Sequence, residues 1–187
     1  MSPILVRPVR EQLEHDRIIR LLHAKWRRKY DAGMNPGNEQ TAAVGAAPGA
    51  VYPDVVLTSQ ERGHRLQGVI EVETGESVNH LEALSQWAHF GKLRAPFHLY
   101  VPAGMVDVAR RLCEENQVHV NEIWSYHTVG DQIRFTLVHR SRDAAPAAAR
   151  ARAAQSAPPP RRKPAVRSAK TAARKPAKKP ARSQKRK

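Results

Sequence analysis

The sequence predicts an α/β protein, a central mixed sheet flanked by helices, followed by a disordered basic tail. Two observations carry that prediction. Stretches with apolar residues at three- and four-residue spacing alternate with short β-branched runs bounded by Gly and Pro. At Ala144 the composition changes: onward to Lys187 there are 15 Lys or Arg and no Asp or Glu, leaving 17 residues of each sign to residues 1–143. One domain over 1–143 and a tail over 144–187 follow. The net charge of +15 belongs to the tail.

The elements follow in order. Arg10 to Tyr30 reads as a helix, with Ile18, Leu21, Leu22 and Trp26 forming one apolar stripe. Glu11 and His15 fall roughly along its side. Its end, Trp26-Arg27-Arg28-Lys29-Tyr30, mixes basic and aromatic residues, as helix C-termini and nucleic-acid surfaces both do. Residues 31–50 show no periodicity, several glycines and two prolines, and read as a loop. Tyr52 to Leu57 and Arg65 to Thr74 read as two strands. Ser77 is a candidate N-cap for a helix running to about Leu93, with Val78, Leu81, Leu84 and Ala88 along it. Asn79, Glu82 and Gln86 share its polar side. Phe97 to Val101 reads as a buried strand, Met105 to Asn116 as a helix, and Val118 to Thr128 as a strand. Ile133 to Val138 is a last, alternating strand. Cys113 is expected to pack in the core.

The unusual feature is acid inside otherwise apolar strands. Asp54 lies in the first, Glu71 and Glu73 in the second, and alternation places Glu71 and Glu73 on one face, away from Ile70 and Val72. If the strands are neighbours, Asp54 joins them, and three carboxylates form a hard oxygen site suited to Mg²⁺ or Mn²⁺.

Pro53-Asp54, a turn, then Glu71-Val72-Glu73 resembles the motif of the PD-(D/E)xK nuclease superfamily, whose restriction-endonuclease-like core also has this order of elements from about Arg10 to Tyr126. The resemblance implies a metal-dependent nuclease hydrolysing DNA phosphodiester bonds, with Asp54, Glu71 and the Val72 carbonyl as metal ligands. The chain departs from the motif by placing Glu73 where the family has lysine. Some restriction enzymes are similar in this and use the glutamate as a metal ligand or general base; other members that lost the lysine are inactive. The resemblance therefore leaves two readings, a Mg²⁺- or Mn²⁺-dependent deoxyribonuclease using Asp54, Glu71 and Glu73, or a non-catalytic nucleic-acid-binding protein on a degenerate nuclease fold. A third is an unrelated α/β protein whose acids pair with Arg62, Arg65 or Lys92 and whose tail alone meets nucleic acid; acidic strands that are not adjacent would establish it. Glu11 and Glu14 are candidates to reach the site from the first helix, His80 to assist in place of the lysine, and Gln86 to match the helix glutamine of RecB-like exonucleases.

The tail resembles the Lys/Ala/Pro tails of linker histones. Arg161, Arg162, Lys163, Lys178, Lys179, Lys185, Arg186 and Lys187 are expected to bind nucleic acid, DNA above all, by counterion release and without sequence selectivity. A single cysteine excludes an internal disulfide and cannot supply a zinc site. No apolar run approaches the roughly 20 residues that span a bilayer. With no signal-peptide pattern, the expectation is a cytoplasmic protein without membrane contact, and nucleoid association and a homodimer both stay open.

Overall fold

A computed structural model describes residues 8–142. The elements are α1 (Val9–Trp26), β1 (Asp31–Met34), β2 (Val55–Thr58) and β3 (Leu66–Val72), then α2 (His80–Glu82), a π-helical turn (Ala83–Trp87) and α3 (Ala88–Phe90). β4 (Phe97–Pro102) follows, then a 3-10 turn and α4 (Val106–Glu115), and the hairpin β5 (Glu122–Val129) and β6 (Gln132–Arg140). The six strands form one mixed sheet in chain order. β3, β4 and β5 run parallel, while β1, β2 and β6 pair antiparallel with their neighbours. The strand carrying Asp54 at its edge and the strand carrying Glu71 are thus adjacent, as the carboxylate cluster required.

Strand alternation divides the core. Ile70, Val72, Tyr100 and Tyr126 pack with Ile18, Ile19 and Leu22 of α1 on one face. Val69, Leu99, Val101 and Ile123 pack with Trp87, Phe90, Ala109 and Leu112 on the other. Central parallel strands covered on both faces should be continuously apolar. β4 fits, with Phe97, Leu99, Tyr100 and Val101 fully buried. β3 does not, and its exceptions are the acids.

Three local expectations are corrected. Residues 31–50 are not wholly a loop: β1 pairs with β2, and Gly33 lets the following loop fold close against β1, since a Cβ there would come within 2.6 Å of Ala42 Cβ. Ser77 does not cap the following helix. Its hydroxyl accepts from the Thr74 N–H, while Asn79 Oδ1 accepts from the N–H groups of Leu81 and Glu82. Leu21 lies outside the stripe and is exposed, whereas His15 lies within it at 2 % exposure. The spacing His15, Ile18, Leu22 carried that signal.

Candidate active site

The site begins with a proline. The β2–β3 register ends at Val55↔Ile70, so Pro53 falls opposite Val72. An unbroken antiparallel ladder would exchange two hydrogen bonds there, but proline has no N–H. The ladder opens instead. Asn35 Nδ2 takes the Pro53 carbonyl at 2.7 Å, and the Val72 N–H turns to Asp54 Oδ2 at 2.8 Å. The Asp54 N–H donates to Glu71 Oε2 at 3.2 Å. Each acidic side chain is held by the other strand's break, and both are buried, Asp54 at 7 % and Glu71 at 4 %.

α1 completes the arrangement. His15 Nε2 lies 3.2 Å from Asp54 Oδ2, and its Nδ1 lies 3.4 Å from Asp16 Oδ1. Asp16 Oδ1 also accepts from Gln12 Nε2 and from the N–H of Gly37. Gly37 has φ +62°, where side chains are strained, so glycine there lets the loop bring its N–H to the helix. The loop is further fixed by Asn35. Its amide binds the carbonyls of Ala42 and Pro53 and the N–H groups of Thr41 and Ala42.

These elements enclose a cleft of about 430 Å³ between the loop, α1 and the α2–α3 segment. Asp54, Glu71, Glu82 and Glu39 line it, together with His15, Gln86 and His89, and no Lys or Arg among the described residues does. The π turn sets which helical residues reach it. One residue more per turn rotates the ladder, so Trp87 enters the core at 0 % exposure while Ser85 and Gln86 line the cleft.

The structure brings Asp54 and Glu71 together in this cleft and does not bring Glu73. Glu73 is fully buried, its Oε1 accepts from Trp87 Nε1 at 2.7 Å, and it is absent from the cleft lining. Its backbone carbonyl accepts from the Tyr126 hydroxyl at 2.7 Å. The next β4 residue that would serve that carbonyl is Pro102, which lacks an N–H. Glu11 reaches Thr74 Oγ1 at 2.6 Å rather than the cleft, Glu14 is exposed, and His80 Nε2 sits 3.3 Å from Glu115. Gln86 does line the cleft. The tail cations fall outside the described residues. Sequence reasoning missed His15, Asn35 and Glu82 as site residues; only His15 left a signal, a polar side chain on an apolar stripe.

Among the described residues there is no group of three His, Cys, Asp or Glu side chains placed to hold a metal ion. Two carboxylates are nevertheless the protein share that Mg²⁺ commonly takes, the remaining positions going to water and substrate phosphate. Asp54 and Glu71 fit that donor set, whereas Val72, like Glu73, is not among the residues lining the cleft. No helix among the described residues is long and apolar enough to cross a membrane. No protein-family model, no curated protein and no solved structure matches the chain.

Proposed function

We propose that this protein is a metal-dependent nuclease of the restriction-endonuclease-like kind, acting on DNA phosphodiester bonds, with its basic tail adding non-specific nucleic-acid affinity. One observation carries the reading: four carboxylates, three of them buried, line one cleft, and no Lys or Arg among the described residues does. A cleft so lined repels a phosphate diester. A divalent cation would offset that repulsion. The order of elements supports the same reading, since a helix, three antiparallel strands, a helical segment and a parallel strand carry the Pro53-Asp54 and Glu71-Val72-Glu73 motif.

Asp54 and Glu71 would hold Mg²⁺ or Mn²⁺, and the Val72 carbonyl is the further ligand that the resemblance implies. Such an ion lowers the pKa of bound water and stabilises charge on a scissile phosphate. The chain's own residues supply the positioning. The Val72 N–H and His15 orient Asp54, the Asp54 N–H orients Glu71, and Asp16 ties His15 to the loop wall. Glu73 is assigned a structural part, anchoring Trp87 so that the π turn presents Gln86 and Ser85.

A second reading, nucleic-acid binding without cleavage, is favoured by one observation. The position that carries lysine in the family is filled by a carboxylate turned to Trp87 instead of the cleft. The test is cleavage of supercoiled and linear DNA by the full chain with Mg²⁺, Mn²⁺ or EDTA. Asp54→Asn and Glu71→Gln, prepared identically, serve as controls for contaminating nuclease. Metal-dependent cutting that both substitutions abolish supports the nuclease. DNA binding without cutting in either metal selects the second reading, and cutting that survives both substitutions rejects this site.

A further inference from the structure

The formal neutrality of residues 1–143 conceals a segregation of charge. Asp54, Glu71, Glu73 and Glu82 are all buried, whereas no Lys or Arg is buried among the described residues. The surface is therefore more cationic than the composition suggests. The excess is concentrated on α1 and the turn after it, where every Lys and Arg from Arg10 to Lys29 is exposed. The acids of that helix are mostly turned inward. Glu11 binds Thr74 and Asp16 binds Gln12 and Gly37, which leaves Glu14 as its exposed carboxylate.

Helical geometry gathers these cations on one side. At about 100° per residue, Arg10, Arg17 and Arg20 fall within about 80° of arc, opposite the buried Ile18, Ile19 and Leu22. Arg27 and Arg28 continue the row into the turn. From Arg10 to that turn is about 25 Å at 1.5 Å per residue, the length of about seven base pairs along one strand. Two lysines are differently engaged. Lys25 Nζ lies 5.0 Å from the Trp124 ring centroid and 5.4 Å from that of Trp26, and Lys29 Nζ lies 5.1 Å from that of Tyr30. The row left facing solvent is arginine, whose planar fork suits phosphate oxygens. It is not a membrane-lying face: the exposed Val9 and Leu13 share one turn beside Arg10, and Leu21 stands about 12 Å from Leu13 at 1.5 Å per residue with Arg17 between them, so no apolar strip runs the length of the face.

We propose that the outward face of α1 and the following turn form a docking surface for the phosphate backbone of duplex nucleic acid, through Arg10, Arg20, Arg27 and Arg28. Arg17 belongs to the row but also donates to the Asp131 carbonyl, bracing the β5–β6 turn. The inference rests on the nucleic-acid part of the proposed function and not on cleavage.

The test measures the salt dependence of binding of the full chain to a 20-base-pair duplex in EDTA. The variant is Arg10→Gln, Arg20→Gln, Arg27→Gln and Arg28→Gln combined. Its control carries four exposed arginines changed elsewhere, Arg62→Gln, Arg65→Gln, Arg110→Gln and Arg111→Gln. Each phosphate contact contributes about 0.9 to the slope of log affinity against log salt, so the ridge variant should lose about 2 to 4 in slope and the control less than about 1. The single Arg20→Glu change should lower affinity in the same direction, which keeps the inference testable if the fourfold variant folds poorly. Equal slopes for both fourfold variants overturn it. So does an unchanged duplex slope accompanied by lost binding to phosphatidylserine vesicles or poly-glutamate, which would assign the ridge to a membrane or an acidic protein. Wild-type chain that binds no duplex rejects the nucleic-acid reading itself. Binding with the expected slopes but no DNA cutting leaves the ridge standing and rejects only the nuclease.

Discussion

The carboxylates of Glu122 on β5 and of Asp54 and Glu71 in the cleft are shielded from water, yet they are satisfied in different ways. Glu122 Oε2 accepts from His98 Nδ1 and Trp124 Nε1, and Oε1 accepts from Arg140 Nε, each at 2.9 Å. The His98 hydrogen bond foremost, helped by Trp124 and Arg140, holds its carboxyl down at about 2 against the opposing effect of burial. Every strong donor there belongs to the protein. In the cleft, Asp54 accepts from the Val72 N–H beside the His15 imidazole and Glu71 accepts from the Asp54 N–H, while further carboxylates line the same space and no Lys or Arg among the described residues does. The comparison separates a carboxylate that locks strands from carboxylates that, on the proposed reading, would hold a cation.

That contrast makes opposite predictions for the same kind of substitution. Asp54→Asn or Glu71→Gln should reduce metal-dependent DNA cleavage by at least about a hundredfold, the scale on which charge stabilisation at a reacting centre acts. Removing negative charge from the cleft should leave the metal-free melting temperature unchanged or raise it. A fall comparable to that of a broken structural ion pair would erase the distinction from Glu122.

Mg²⁺ or Mn²⁺ should stabilise the wild-type fold by binding the native cleft, by about 2.7 kcal/mol at a hundred times the dissociation constant. Thermal unfolding with and without metal measures this, and Asp54→Asn should abolish the increment while Glu122→Gln retains it. Trp87→Phe removes a donor from the fully buried Glu73 and should cost about 2 kcal/mol in denaturant unfolding. Because the same change loosens the π turn, it should also weaken whatever the cleft binds.

The smallest effect is expected at Glu122, where Glu122→Gln should lose about 1 kcal/mol at neutral pH. A depressed folded-state pKa stabilises the fold above the ordinary value of 4.5, and that stabilisation disappears as pH falls toward about 2. The melting-temperature gap between wild type and Glu122→Gln should therefore be full at pH 7 and close across that acidic window. A gap that persists at pH 2 would mean that packing, not charge, holds the strands there.

Much of the fold was legible in the sequence because its signals are local. The stripe through Ile18 and Leu22, the apolar run from Phe97 to Val101 and the alternation from Ile133 to Leu137 each report their own burial. β1 was not legible, since Asp31-Ala32-Gly33-Met34 has no strand pattern and exists through pairing with Val55 to Thr58. The broken helix after β3 was also hidden, because nothing in Ala83 to Trp87 announces a π turn.

By itself, the sequence determined that the chain carries acids where strands should be apolar, that one of them follows a proline, and that its excess positive charge lies beyond residue 143. Those are properties of composition and order along the chain. Only the tertiary structure decided what each acid does. A strand's alternation puts Glu71 and Glu73 on one face, but the cleft lies over Glu71 alone, while Trp87 covers Glu73. Partners far apart in sequence, His15 for Asp54 and Asn35 for Pro53, were invisible for the same reason. Their choice depends on where the helix and loop settle against the sheet, and that is set by packing across the whole domain.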